Sequence, residues 1–190
     1  AYLLLIGKGL EYDHRYYRTP NSGTWQYQDL VPTGGMPGSD AAFSMRRDVT
    51  SEEAIATGRI PAMSSEEVVN YLDKVIELES QPITDLQRKR ILHLSGGIED
   101  WEPEAFKGYL AEFQSVAEGP YFGGVVSAIA KQSRDVQTIN IAKQINEGLQ
   151  RGTFCGHSST STLDCDIGEV SDKKRGYNNR GKYPRMLMNG

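Results

Sequence analysis

Uninterrupted apolar runs recur along the chain and predict strands of a parallel sheet. Such runs are typical of strands that are covered on both faces, where the alternation of polar and apolar residues is lost. The clearest runs lie at 2–6, 89–97 and 123–131. Shorter segments predict further strands at 53–61, 152–157 and 183–190.

Three other segments repeat apolar residues every three or four positions, which is the spacing of one helix face. The first follows Ser64 and Glu67, an S-x-x-E capping box that predicts a helix start. The second covers 103–117 and has proline in its first turn, where proline is tolerated. The third covers 136–149, and a short helical piece is predicted near 82–88.

Strands and helices therefore alternate, which predicts an α/β three-layer sandwich with a mostly parallel sheet and helices on both faces. The Tyr-rich segment 10–28 is predicted to be a loop or a short hairpin. Residues 29–43 begin as a short strand and continue as a loop rich in Gly and Pro. Asp40 closes this loop, and a turn or helix cap is favoured there over a site residue.

Composition narrows the class of protein. The chain has 190 residues, 38% of them hydrophobic and 24% charged, which is typical of one soluble domain large enough to bury a hydrophobic core. Its net charge of -4 argues against nucleic acid as the main partner, because phosphate-binding surfaces need a basic excess. No apolar run is long enough for a membrane span, and no secretory signal is visible. Both ends fall abruptly within predicted strands, so we expect a piece of a longer protein.

The stretch RGTFCGHSSTSTLDC, at 151–165, holds the best candidate for catalytic chemistry. His157 stands at the predicted tip of a strand between Gly156 and Ser158, and sites in α/β sheets lie at the carboxyl ends of strands. A histidine there can act as a general base near neutral pH, and small neighbours let a peptide approach. His93 lies inside a predicted strand and is expected to be a core or edge residue.

A nucleophile for this base is not evident. Cys155 is two residues away on the same strand, about 7 Å along it, which is too far for a hydrogen bond without a bend. Cys165 lies in a loop and is not excluded by spacing. Ser158 and Ser159 lack the G-x-S-x-G elbow. A disulfide between the cysteines is possible but not implied, the spacing does not suit zinc, and no phosphate-binding loop motif is present.

The order of motifs adds a resemblance to a known family. The motifs are LLLIGKG, DLVPTGGMPGSDAAF, ATGRIPAMSSEEVVNYLDKVIELE, KRILHLSGG and INEGLQRGTFCGHSS. In this order the chain resembles, over nearly its whole length, the gingipain-like cysteine peptidases. That family has a caspase-like fold and includes the signal peptidase or sortase of the type IX secretion system. The resemblance implies one gingipain-like peptidase domain across 1–190.

The resemblance also implies roles for individual residues. His157 takes the position of the catalytic base, and the backbone N–H groups of Ser158 and Gly156 are candidates for the oxyanion hole. Ser158 departs from the glycine that is usual there. The nucleophilic cysteine of the family ends the strand that matches YPRMLMNG, so we expect it at or after Gly190. We also expect His157 to lie within about 4 Å of Gly190. Some members orient the base with an acidic residue where this chain has Ser95.

The function expected from this resemblance is that of a cysteine endopeptidase acting on protein or peptide substrates. Residues 1–190 alone should be inactive without the nucleophile. A location in the outer membrane, at the cell surface or outside the cell is implied, with possible secretion-system partners. No cofactor is required. Calcium is possible as a structural ion, with Asp40 as the one candidate ligand, and the metal ligands are unknown.

Two alternatives stay open at this point. The first is a non-catalytic scaffold or binding domain on the same fold, which the departures at Ser158 and Ser95 keep open. The second is an unrelated flavodoxin-like domain, which would bind its ligand at the glycine loops.

Overall fold

The computed structural model describes residues 1–10, 29–35, 38–46, 54–82, 84–159 and 161–190. The strands in these ranges are β1 (Tyr2–Ile6), β2 (Ala56–Ile60), β3 (Arg90–Ser95), β4 (Val125–Ala130), β5 (Gln137–Thr138), β6 (Arg151–Cys155), β7 (Cys165–Asp166) and β8 (Arg185–Asn189). The α-helices are α1 (Ser65–Glu79), α2 (Glu102–Ala117) and α3 (Ala142–Glu147), and short 3-10 helices lie at Ala41–Phe43, Leu86–Lys89 and Lys173–Arg175.

The chain divides into two compact units, Ala1–Val75 and Ile76–Gly190. In the first unit β1 and β2 pair in parallel, as the apolar runs predict. Burial along β1 alternates, however, and Tyr2, Leu4 and Ile6 are exposed. The expectation that this run is covered on both faces is therefore wrong, because the face that carries these three side chains is open to solvent. One domain across 1–190 stays a prediction.

The second unit contains a four-stranded sheet in the order β4-β3-β6-β8, with all neighbours parallel. This arrangement confirms the mostly parallel sheet. The register brings the strand ends level, because Ser95 pairs with Ala130 and Cys155, and Cys155 pairs with Asn189. The carboxyl ends of β3, β6 and β8 therefore lie at the same edge of the sheet.

Helices cover both faces of this sheet. On one face Leu92, Leu94 and Phe154 are fully buried against Ile145 of α3. A fully buried side chain of this size contributes about 1.5–3 kcal/mol relative to an exposed one. On the other face α2 packs against β3 and β4, above the buried imidazole of His93. His93 is thus a core residue, as expected.

The start of α1 follows the capping prediction in part. The Ser64 hydroxyl accepts the backbone N–H of Glu67 at 3.3 Å. The Glu67 carboxylate accepts the N–H of Met63 at 2.7 Å, one residue earlier than in a capping box.

Within the described ranges, no helix combines the length and the apolar character that crossing a membrane requires.

Several predicted elements differ from those found. The helix predicted at 136–149 is limited to α3, because the preceding residues form β5 and pair with β7, which the sequence did not predict. Gly148, at φ 93°, ends α3 in a conformation that favours glycine. The piece near 82–88 is a 3-10 helix at Leu86–Lys89. Residues 29–35 contain no strand, and the predicted loop at 11–28 lies outside the described residues.

Candidate active site

The tips of β6 and β8 lie side by side at the edge of the sheet. The backbone N–H of Gly156 donates to the carbonyl of Asn189 at 3.0 Å. A Cβ placed on Gly190 would lie 2.7 Å from the carbonyl oxygen of Gly156. Gly190 is therefore directly beside the residue that precedes His157, on the same edge of the sheet. The approach of His157 itself to within about 4 Å of Gly190 stays a prediction.

The imidazole of His157 contacts a carboxylate that the sequence did not single out. His157 Nε2 lies 2.9 Å from both carboxylate oxygens of Glu102, the first residue of α2. The His157 side chain is 45% exposed, whereas that of Glu102 is 8% exposed. The Phe106 ring, one turn along α2, lies 6.1 Å from the imidazole centroid. The imidazole is thus held by Glu102 at Nε2 and remains partly open to solvent.

Backbone donors keep the Glu102 carboxylate ionised. Its Oε2 accepts the N–H groups of Glu99 at 2.9 Å and Ile98 at 2.8 Å, in the turn before α2. The Glu99 N–H has the largest effect on the pKa of Glu102, followed by the Ile98 N–H, and with a smaller contribution from His157 they lower it to about 2. A carboxylate that stays charged can orient the imidazole and stabilise its protonated form, as in a catalytic triad.

The predicted orienting position, Ser95, does not provide this contact. Ser95 is buried at the end of β3, and its hydroxyl has no hydrogen-bond partner among the described residues. The acidic contact comes from Glu102, seven residues further along the chain. The available signal was an acidic residue at the start of a predicted helix that follows a strand tip. The sequence places Glu104 in that turn as well, so it could not decide between them.

The two backbone positions predicted for the oxyanion hole differ in availability. The Gly156 N–H is already used by the Asn189 carbonyl, so it does not point into the site, and this part of the prediction is wrong. Ser158 forms an isolated bridge with Leu163, made by the N–H groups of Asp164 and Ser159. The Ser158 N–H takes no part in that bridge and stays a candidate donor.

The two cysteines of the chain are not suited to act as nucleophiles. Both are free thiols, and Cys155 is 7% exposed while Cys165 is fully buried. Burial raises the pKa of Cys155, and it raises the pKa of Cys165 to about 11. A nucleophilic thiol needs an accessible, stabilised thiolate, and neither environment provides one. The disulfide alternative is also absent here, since the two thiols are unbonded.

The described residues do not fit a metal ion. They contain no group of three or more His, Cys, Asp or Glu side chains that could hold one. Asp40, the candidate calcium ligand, binds the guanidinium of Arg59 through both carboxylate oxygens, at 2.8 and 2.5 Å. The hydrogen bonds from Arg59 lower the pKa of Asp40, so this carboxylate is already neutralised. Asp40 is the N-cap residue of the 3-10 helix Ala41–Phe43, as the favoured prediction has it, although its side chain makes no capping hydrogen bond.

Comparison with known proteins places this geometry in context. The sequence model of peptidase family C25 matches residues 1–190. No curated protein sequence matches the chain. The crystal structure of the Arg-specific cysteine proteinase gingipain R (RGPB) is similar, with a TM-score of 0.67 and 16% sequence identity over 99% of this chain. The match spans 40% of the length of that protein. At this identity the likeness concerns the fold, and it confirms the predicted α/β caspase-like class.

Proposed function

Because the chain belongs to peptidase family C25, we propose that it carries the general base of a cysteine endopeptidase and that this base is His157. The observation that carries the proposal is the contact of His157, at the tip of β6, with Glu102: Nε2 lies 2.9 Å from both carboxylate oxygens. An exposed imidazole on a buried, ionised carboxylate is the usual arrangement of a positioned base.

The proposed mechanism follows from which nitrogen is engaged. The carboxylate of Glu102 accepts Nε2–H, which leaves Nδ1 of His157 as the basic nitrogen. Nδ1 takes the proton from a thiol, and the thiolate attacks the carbonyl carbon of the scissile peptide. The imidazolium then donates that proton to the leaving amine. The N–H of Ser158 is the proposed donor to the oxyanion, and no cofactor takes part.

The thiol is proposed to come from the segment of the full-length protein that follows Gly190. Two observations support this source. Gly190 lies against Gly156 at the strand tip that carries His157, so the next residues begin at the site. Both cysteines within 1–190 are buried. We therefore expect residues 1–190 alone to cleave no peptide.

We also propose a class of substrate and a location for the protein. The substrates would be proteins or peptides, and the protein would act in the outer membrane, at the cell surface or outside the cell. A link to type IX secretion is part of the proposal. The resemblance to the gingipain-like family supports these points.

The test measures cleavage by the full-length protein of fluorogenic peptides with Arg, Lys or a neutral residue before the cleaved bond. His157→Ala should abolish turnover, and Glu102→Gln should lower kcat by up to about 10⁴-fold, the loss seen when the orienting carboxylate of a catalytic triad becomes an amide. Glu104→Gln is the matched control, because Glu104 lies in the same helical turn but its side chain is 81% exposed and binds Lys107. Unchanged turnover in His157→Ala would exclude His157 as the base.

A non-catalytic binding domain is the second candidate, favoured by the buried cysteines and by Ser158. In that case the full-length protein would carry no cysteine after β8 and would cleave none of these peptides. Labelling of the full-length protein with an alkylating reagent distinguishes the two functions. A peptidase should be modified first at a residue following Gly190, and His157→Ala should slow this reaction.

A further inference from the structure

A buried ion pair that the proposed mechanism does not use lies beneath the site. Lys131 and Asp164 have side chains that are 2% and 4% exposed, and Lys131 Nζ lies 3.4 Å from Asp164 Oδ2. The same ammonium donates to the carbonyls of Gly97 at 3.0 Å and Arg134 at 2.9 Å. Buried charges are retained only with such partners, because their desolvation costs several kcal/mol per ion.

Asp164 is tied to the turn that holds Glu102. Its Oδ2 accepts the backbone N–H of Gly97 at 2.6 Å. The next two residues, Ile98 and Glu99, donate their N–H groups to Glu102. The three consecutive amides of this turn are therefore bound by two carboxylates, that of Asp164 at Gly97 and that of Glu102 at Ile98 and Glu99.

Asp164 is also tied to the loop that carries His157. Its backbone N–H donates to the carbonyl of His157 at 2.9 Å, next to the bridge between Ser158 and Leu163. Its carboxylate fills the space beside the strand tips. A Cβ on Gly156 would lie 2.6 Å from Asp164 Oδ1, and a Cβ on Gly96 would be closer still.

These hydrogen bonds form a closed ring that includes both residues of the candidate site, His157 and Glu102. The His157 carbonyl binds the backbone N–H of Asp164, and the Asp164 carboxylate binds the N–H of Gly97. The turn after Gly97 binds Glu102, which in turn binds the imidazole of His157. The geometry points to Asp164, held by Lys131, as a positioning residue that sets the Glu102–His157 contact. This inference rests on the proposed function for its catalytic consequence, whereas the coupling of the two loops is independent of it.

The experiment compares two double variants of the full-length protein, Asp164→Ala with Lys131→Met and Asp164→Asn with Lys131→Met. Both remove the ion pair without leaving an unpaired buried ammonium. They differ because asparagine keeps a side-chain oxygen that can accept the Gly97 N–H, and alanine does not. The readouts are hydrogen exchange at the amides of 97–99 and kcat for peptide cleavage.

The alanine variant should lose protection at 97–99 and should lower kcat by about 100-fold, the effect of a displacement near 1 Å. The asparagine variant should stay within a few-fold of wild type. Added to Glu102→Gln, the alanine variant should lower kcat no further, since both changes act on one contact. Asp40→Asn is the control, because it breaks the ion pair with Arg59 in the other unit. Whatever factor it costs in kcat should be the same in the wild-type protein and in Glu102→Gln, since the two sites are independent.

Three results would overturn the inference: equal protection at 97–99 in both double variants, equal kcat in both, or an alanine effect that multiplies that of Glu102→Gln. If the protein shows no peptidase activity at all, the proposed function fails and the exchange result alone decides the inference. If the alanine variant does not fold, exchange in the wild-type protein decides. There the amides of Gly97 and Asp164 should open together, and independent opening would contradict the coupling.

Discussion

Adding one methyl group at Gly156 should destabilise the protein through the packing beneath the site. In Gly156→Ala the new Cβ would lie 2.6 Å from Asp164 Oδ1 and 2.7 Å from Cζ of Phe154. Neither neighbour can move easily, because Phe154 is fully buried and Asp164 is bound to Lys131 and to the Gly97 N–H. Overpacking of this kind costs about 1–3 kcal/mol.

The matched control is the same substitution at Gly108, in α2 of the same unit. A Cβ there meets nothing within 4 Å. Replacing an interior helical glycine by alanine should stabilise by about 0.5–1 kcal/mol, since alanine loses less backbone freedom on folding. The two variants should therefore differ in free energy of unfolding by roughly 1.5–4 kcal/mol.

Urea unfolding of the full-length variants, followed by circular dichroism, measures this difference. With a slope of about 2 kcal/mol/M, the two midpoints should be separated by roughly 0.8–2 M urea. Coincident midpoints, or a Gly156→Ala protein as stable as wild type, would show that the strand tip has room for a side chain. The account of packing around Asp164 would then be wrong.

Three further predictions concern thiols and pH. Alkylation followed by peptide mass mapping should leave Cys155 and Cys165 unmodified in the native full-length protein and modify both in urea, because burial raises their pKa values; rapid native labelling would contradict this. The lowered pKa of Glu102 contributes stability that is present above pH 4.5, its ordinary value, and is lost as the pH falls towards about 2. Glu102→Gln should therefore lose less free energy of unfolding than wild type over that pH range, and an equal loss in both proteins would refute the contribution. Burial lowers the pKa of His93 below 6.5, so the folded protein loses stability as pH falls below 6.5, and His93→Gln should reduce that loss; equal acid sensitivity would show that His93 titrates normally.

The sheet and the position of His157 were predictable because they depend on local patterns. An apolar run marks β3 because both faces of that strand are covered, and a shorter segment marks β6. The rule for strand tips then places His157 at the carboxyl edge. The spacing of apolar residues gave α2 to within one residue at its start. It failed for α3, because the pairing of β5 with β7 depends on residues almost thirty positions apart.

The partner of His157 could not be predicted in the same way. Glu102 and His157 are 55 positions apart and meet only because α2 begins close to the tip of β6. The first turn of α2 contains two acidic residues, Glu102 and Glu104, and composition does not distinguish them. What distinguishes them is the turn before the helix. Its N–H groups have no partner within the helix, and they donate to the carboxylate of Glu102 and not to that of Glu104.

The structure also changes the reason for the small residues at the tip of β6. From the sequence, Gly156 is explained by the approach of a substrate backbone. In the fold, the space beside its α-carbon is occupied from within, by Asp164 Oδ1 and the ring of Phe154. Its N–H is likewise used inside the sheet, by the carbonyl of Asn189. Glycine at 156 is therefore required by the carboxylate beneath it, and a serine beside His157 is compatible with the site because the crowding lies at 156.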